Sequence, residues 1–367
     1  MYLKICYMSD ATPSKASMAC SCRIFSHAMN SKLGHGILSL SNPLLHPIAT
    51  RRGGRNLRCR SISSSGHDRS ISPKEGMLRK VMKSMESVYL ERNATASKVL
   101  QIVRSAEESG SICYDHLAFR TFGVDRHGID AMASLFIDCG YQERDELRFY
   151  EKKLKARWFS PPVGESEHSV ADGAYGPLPR IFISELLVDE MSQEAQEIIR
   201  RHTTTSGSVY KHAALASALG SLTWTVPSLS DYQMLARESE YAAWTLVNGY
   251  SLNHVTISTH RLKSELKDIN VLNKFIQSKQ ISLNTKGGVL KVSPDGLLLQ
   301  SSTMADRIPH KFSDGREATI PCCYIEFAQR LVLPRHKHLP TEEITERHRR
   351  DGFETGSADK IFESTFH

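Results

Sequence analysis

Three short segments far apart in the chain each carry one side chain able to ligate a metal: Asp115-His116-Leu117-Ala118-Phe119-Arg120, Asn253-His254-Val255-Thr256-Ile257-Ser258 and Tyr324-Ile325-Glu326-Phe327-Ala328. Together they offer two imidazoles and one carboxylate. That is the ligand set of non-haem iron(II) oxygenases, because three protein ligands leave positions open for a chelating substrate and for O2. The chemistry requires that the three converge on one point.

Each segment alternates as a strand does, with residues i, i+2 and i+4 on one face. His116 then lies with Ala118 and Arg120, His254 with Thr256 and Ser258, and Glu326 with Tyr324 and Ala328, while Leu117, Phe119, Val255, Ile257, Ile325 and Phe327 point the other way. The candidate ligands therefore project beside small neighbours from strands whose reverse is apolar. A hydrogen-bonded core residue or a solvent-facing one fits the same pattern, and the chain has 16 histidines, so some fall on strands by chance. Spacing alone leaves both readings open.

The segment Asp115-His116-Leu117-Ala118-Phe119-Arg120-Thr121-Phe122, the Asn253-His254 strand, the Tyr324 to Ala328 strand and the ending Gly356-Ser357-Ala358-Asp359-Lys360-Ile361-Phe362-Glu363-Ser364 together resemble the 2-oxoadipate dioxygenase/decarboxylase (2-hydroxyglutarate synthase) family, whose plant members are floury-endosperm-type plastid proteins. The resemblance runs from about Leu78 onward. It implies an α+β fold like the vicinal oxygen chelate enzymes, a mixed sheet or half-barrel around a metal site with helices outside. It further implies Fe(2+) on His116, His254 and Glu326, with Arg120 completing the catalytic set. Substrate contacts are expected from His116, Arg120, Gly356 and Ser357, the last two on a segment that closes the pocket. The implied reaction takes 2-oxoadipate and O2 to 2-hydroxyglutarate and CO2, a step of lysine catabolism. The alternatives are another vicinal oxygen chelate metalloenzyme, such as a glyoxalase-type isomerase, or a non-catalytic plastid binding or scaffold protein affecting starch or amyloplast development.

The net charge of +7 is unevenly spread. Residues 1–72 hold ten Lys or Arg against Asp10 and Asp68, whereas the remainder holds 37 basic and 38 acidic residues. A basic, acid-poor, serine-rich start is the pattern of an organelle transit peptide. Residues 1–72 are expected to be a disordered transit peptide and 78–367 a single catalytic domain. Plastid is favoured over mitochondrion by serine density, as in Ser61-Ile62-Ser63-Ser64-Ser65. A nucleic-acid-binding tail would show aromatic residues among its cations, and this stretch does not, so small-molecule partners are expected, a 2-oxo dicarboxylic acid and O2, with no nucleic acid. No apolar run is long enough to span a bilayer. No sequence feature specifies an oligomeric state. Outside the leader, Cys113, Cys139 and the adjacent Cys322-Cys323 lack zinc spacing and read as reduced small hydrophobes.

The elements that must position the ligands follow from periodicity. Residues 78–109 read as two helices interrupted near Arg92-Asn93-Ala94-Thr95, 128–139 as a short helix ended by Gly140, and 149–159 as strands turning back. A loop over 161–179 leads to a strand at 180–188 and a helix at 192–202. One longer helix over 230–247, with Trp244 on its apolar side, delivers the chain to the His254 strand. Another over 262–277 precedes Gly287-Gly288 and the strands leading to Glu326, so strand-helix-strand units recur around the ligands. His336 and His338 beside Arg335 and Lys337 read as a solvated face, and 300–306 as a strand end whose hydroxyls could meet a carboxylate or form an ordinary turn. No GxGxxG, Walker loop or nucleophile elbow is present, which argues against nucleotide cofactors and acyl transfer.

Overall fold

The computed structural model describes residues 72–107, 112–162, 172–206 and 210–365. The leader read over 1–72 lies, apart from Ser72, outside these residues, as does His168. Ser72 caps the first helix, α1 (Pro73–Arg92), accepting from the Glu75 N–H at 3.2 Å. The interruption expected near 92–95 is one residue wide. Asn93 ends α1 and its side chain caps α2 (Ala94–Ala106) through the Ala96 N–H at 2.8 Å.

The sheet is built twice from the same plan. β1 (Tyr114–Phe122), α3 (Gly128–Asp138), β2 (Gln142–Phe149), β3 (Leu154–Ser160) and β4 (Arg180–Leu186) form the first unit, in spatial order β2-β3-β4-β1. Helices α4 (Gln193–Thr203), α5 (Tyr210–Ala218), α6 (Leu229–Glu238) and α7 (Glu240–Asn248) intervene. β5 (Leu252–Ser258), α8 (Ile269–Ser278), β6 (Lys291–Val292), β7 (Leu298–Ser302) and, after a separate hairpin of β8 (Arg307–Lys311) and β9 (Glu317–Pro321), β10 (Tyr324–Arg330) repeat that order as β6-β7-β10-β5. In each unit the first and last strands pair in parallel, β1 with β4 and β5 with β10. The units join where β1 meets β5 antiparallel, giving one eight-stranded mixed sheet.

This order makes the three ligand-bearing strands immediate neighbours, β1-β5-β10. Their apolar reverse face is the core: Leu117, Phe119, Val255, Ile257, Ile325 and Phe327 are all buried. The other face is the inside of a half-barrel. The last helix, α9 (Thr355–Phe362), touches β2 at one end of the strand order and β6 and β7 at the other, which requires the sheet to curl around it. Among the described residues, no helix is long and apolar enough to cross a membrane.

Three elements depart from the sequence expectation. The helix expected over 230–247 is two helices, because Ser239 leaves helical geometry (φ −151°, ψ 109°) and its hydroxyl caps α7 through the Ala242 N–H at 3.2 Å. The break lets α7 turn Tyr241 and Trp244 toward β1. Likewise, α8 starts only at Ile269, since Asp268 accepts from the N–H groups of Asn270 and Val271 and fixes the first turn there. Helix α5 was not expected, because its alanine-rich sequence has no apolar stripe.

Asp306 ties α2 to the start of β10. Its carboxylate accepts from Thr95 N at 2.8 Å and Thr95 Oγ1 at 2.6 Å, and its backbone pairs with Cys322 and Cys323. Asp306→Ala should lower unfolding free energy by about 1–2 kcal/mol, the range of a lost helix cap. A chemical denaturation midpoint unchanged from wild type would contradict this link.

Candidate metal centre

Strand register sets the centre. His116 on β1 pairs with Thr256 on β5, Glu326 on β10 pairs with the same Thr256, and His254 sits one inward-facing step away between Ala118 and Tyr324. His254 Nε2 lies 3.3 Å from His116 Nε2 and 3.1 Å from Glu326 Oε2, and the latter is 3.6 Å from His116 Nε2. Ligand bonds of roughly 2.0–2.2 Å meeting near right angles put neighbouring ligand atoms about 3 Å apart, so these separations suit one ion with coordination positions left open. Among the described residues, this is the one group of three such side chains placed to hold a metal. All three are buried.

The tautomers are set by the preceding residues. His116 Nδ1 meets Asp115 Oδ1 at 2.9 Å and His254 Nδ1 meets Asn253 Oδ1 at 2.9 Å. An acceptor on Nδ1 places the ring proton there and leaves Nε2 as a lone pair. Gln300 Nε2 donates to Glu326 Oε1 at 2.6 Å, leaving Oε2 to face the imidazoles. Two lone pairs and a carboxylate oxygen thus converge on one buried point, with the Thr256 hydroxyl 3.0 Å from His116 Nε2. Such a convergence requires a cation, either a metal or a captured proton.

Protonation behaviour agrees. Burial works against charge at all three groups. It takes His254 down to about 4, keeping it neutral. For Glu326, burial is outweighed by the facing His116 and His254, which hold its carboxyl down at about 2. For His116, Glu326 and Asp115 outweigh burial and raise the imidazole above its ordinary value. Of the two imidazoles, His116 therefore holds a proton more readily than His254.

Arg120 projects from β1 on the ligand face and is buried, with its guanidinium 5.1 Å from the rings of Tyr241 and Trp244 and 5.6 Å from Phe362. Tyr241 is held in place by Ser184 Oγ at 2.9 Å and the Thr121 N–H at 3.0 Å. Arg120 Nη2 donates to Thr365 Oγ1 at 3.2 Å, but Nε and Nη1 have no partner among the described residues. A buried guanidinium with two unused donors is prepared for an anion.

The space beside the three side chains is small. It amounts to about 20 Å³, room for about one water, and is walled by Phe182, Phe353, Ala358, Ile361 and Phe362. Phe362 also lines a neighbouring cleft of about 380 Å³ that reaches Arg120, Lys152 and Tyr241. Helix α9 is anchored on one side by Lys152 to Asp359 at 2.7 Å and Glu363 at 2.9 Å. On the other side, Asn284 Nδ2 donates to Lys360 O at 3.1 Å. Anything larger than a water enters only if α9 or Phe362 moves.

The structure brings together His116, His254 and Glu326 and places Arg120 on the same face. Gly356 and Ser357 lie in the first turn of α9, where their N–H groups are taken by Glu354 at 3.0 and 2.9 Å; the helix meets the cavity through Ala358, Ile361 and Phe362. His336 and His338 follow β10 on turns, and of 300–306 only Gln300 reaches the centre. Sequence reasoning missed the roles of Asp115, Asn253, Arg330, Tyr324 and Phe353. A signal existed for two of them: both candidate histidines directly follow a residue with a side-chain acceptor.

The comparisons with known proteins agree with this geometry. A putative glyoxalase superfamily protein from Ralstonia eutropha superimposes with a TM-score of 0.55 at 20% identity, covering 70% of this chain and 84% of its own, a likeness of fold alone. The paired units form a vicinal-oxygen-chelate-like sheet, and the His116, His254 and Glu326 cluster in it is a candidate metal site. The 2-oxoadipate dioxygenase/decarboxylase family matches over residues 69–341. A chloroplastic 2-oxoadipate dioxygenase/decarboxylase of Arabidopsis thaliana is 57% identical over 324 residues, 86% of this chain and 87% of the relative. The crystal structure of hydroxyglutarate synthase from Oryza sativa in complex with 2-oxoadipate is 59% identical, with a TM-score of 0.76 over 80% of this chain and 93% of that one. The chain belongs to the 2-oxoadipate dioxygenase/decarboxylase family.

Metal affinity should fall as pH drops, because protons compete for the ligands and His116, whose affinity for a proton is raised, is protonated first. Glu326→Ala should abolish tight binding of a divalent ion by the metal-free protein. Calorimetric titration at several pH values checks both, and pH-independent affinity or wild-type affinity in the variant would refute the assignment.

Proposed function

We propose that this protein holds one ferrous ion on His116, His254 and Glu326 and converts 2-oxoadipate and O2 to 2-hydroxyglutarate and CO2. The reading is carried by one observation: three acceptor atoms from adjacent strands meet at a buried point, on the face that also presents an arginine with unused donors. A ferrous ion there supplies adjacent open positions for a chelating 2-oxo acid and for O2.

The chain's own residues do the rest. Arg120 takes the distal carboxylate in a planar fork, and its cage of Tyr241, Trp244 and Phe362 excludes water that would weaken the contact. Binding that carboxylate orients the oxo acid with its C1 carboxylate and ketone toward the ligands. Phe353, Ile361 and Phe362 close the reacting end from solvent. The first turn of α9, with Gly356 and Ser357, is proposed to touch substrate when the helix reseats over it. A glyoxalase-type isomerisation would want a second carboxylate on the metal, and among the described residues the cluster contains Glu326 alone.

The Arabidopsis relative is chloroplastic, and this chain is a plastid protein whose residues 1–72 are proposed as the import leader. Placement in lysine catabolism follows from the substrate.

The test is anaerobic loading of the protein with ferrous iron, then oxygen uptake with a panel of 2-oxo diacids. Uptake should require iron and 2-oxoadipate, with CO2 released in equal amount. Arg120→Lys should keep the iron and raise the apparent KM for 2-oxoadipate roughly 10- to 100-fold, since a point charge cannot make a two-pronged contact worth about 1.5–3 kcal/mol. Iron-loaded protein that consumes no oxygen with any diacid would overturn the reading. An unchanged KM would remove Arg120 from the substrate site.

A further inference from the structure

Arg330, the last residue of β10, lies four positions beyond Glu326 and is wholly buried. Its guanidinium spans two parts of the molecule. Toward the sheet, Nε donates to Asp115 Oδ2 at 2.6 Å and Nη2 to Asp115 Oδ1 at 2.9 Å, a two-pronged bond to the carboxylate that orients His116. Toward the C-terminal segment, Nη1 donates to Gly352 O at 2.7 Å and Arg350 O at 3.2 Å. The same guanidinium lies 5.3 Å from the ring of Phe353, which packs edge-on to His116 at 4.9 Å.

The path therefore closes on itself: His116 to Asp115, Asp115 to Arg330, Arg330 to the carbonyls of 350 and 352, and Phe353 back onto His116. Gly352 makes the turn possible with φ +74°, a conformation L side chains rarely adopt, and an added Cβ would stand 3.3 Å from the Trp158 ring. Arg180 runs a weaker parallel bridge, 3.4 Å from Asp115 Oδ2 and 2.7 Å from Asp351 Oδ1, with Asp351 largely exposed.

We infer that Arg330 is a positioning residue that couples occupancy of the metal centre to the seating of the C-terminal segment 350–362. The inference rests on the metal reading above. A ligated His116 has one ring orientation, which fixes Asp115, and a fixed Asp115 holds Arg330 where it can keep both carbonyls. Without the ion, His116 keeps its contacts to Asp115, Thr256 and the flanking rings but has no ligand bond, so the path is held less firmly. Linkage makes the effect reciprocal, so seating α9 tightens metal binding by the same factor. The enzyme thus closes firmly only when loaded.

Hydrogen exchange of the full chain, metal-free and loaded anaerobically with ferrous iron, tests this. In the wild type, iron should slow amide exchange over 352–362 by about tenfold, the size of an ordinary coupling between sites. Arg330→Lys keeps the charge but cannot serve Asp115 and Gly352 together. It should still bind iron by calorimetry while the iron-dependent slowing largely disappears. Exchange in α4, remote from this path, should match wild type. A purely structural role would instead speed exchange equally with and without iron. Asp115→Asn cuts the same path at its other end and should show the same loss, which keeps the test decisive if Arg330→Lys fails to fold. Full iron-dependent slowing in a folded variant, or no slowing in iron-loaded wild type, overturns the inference. Failure of the wild type to bind iron at all overturns the metal reading instead.

Discussion

Three acceptor atoms aimed at one buried point, with no Lys or Arg paired to them among the described residues, is the constraint around which this molecule is organised. Left alone, the arrangement is unfavourable: Glu326 Oε2 and two imidazole lone pairs sit 3.1–3.6 Å apart, away from water. Most neighbouring contacts preserve it, and the Thr256 hydroxyl, 3.0 Å from His116 Nε2, is the one that can donate into it. Asp115 and Asn253 hold the ring protons on the far nitrogens, Gln300 occupies the other carboxylate oxygen, and Tyr324 stacks on His254 at 4.6 Å. A core selected for stability alone would have closed this convergence with a cationic side chain. Its persistence is the physical argument for a cation, and the duplicated sheet supplies the geometry by making β1, β5 and β10 neighbours.

The two histidines are not equivalent. The partner of His116 is a carboxylate fixed by Arg330 and Arg180, whereas that of His254 is a neutral amide. Their shifts are opposite: Glu326 and Asp115 outweigh burial and raise His116, whereas burial takes His254 down to about 4. On the substrate side the asymmetry continues, since Arg120 is caged by aromatic rings with unused donors while the space beside the ligands holds about one water. A molecule larger than water therefore reaches the three side chains only where α9, anchored at Lys152 and Asn284, gives way.

How much of this was legible in the chain depends on the range of the interaction. The ligands His116, His254 and Glu326 and the face shared with Arg120 could be read because strand alternation is local and each strand's reverse is uniformly apolar. The family resemblance selected convergence over the core-residue reading. Helix ends set by single caps were read only where the pattern broke visibly, as at Asn93. Ser239 was missed because apolar periodicity runs on across it, and α5 because alanine gives no stripe. Arg330 could not have been found, since its partners Asp115 and Gly352 are 215 and 22 residues away and only the fold joins them. The part played by Phe353, Ile361 and Phe362 in walling the cavity came from the same long-range packing. Gly356 and Ser357, expected at the substrate, lie in the first turn of α9, where their N–H groups are taken by Glu354, a cap that only the fold shows.

The most direct measurement is a crystal of this protein grown anaerobically with ferrous iron, with anomalous scattering recorded on both sides of the iron absorption edge. The account predicts one strong iron peak at roughly 2.0–2.2 Å from His116 Nε2, His254 Nε2 and a Glu326 oxygen, with the remaining positions facing Arg120. Iron-loaded, active protein whose peak lies elsewhere, or that leaves any of these three side chains unligated, would contradict it.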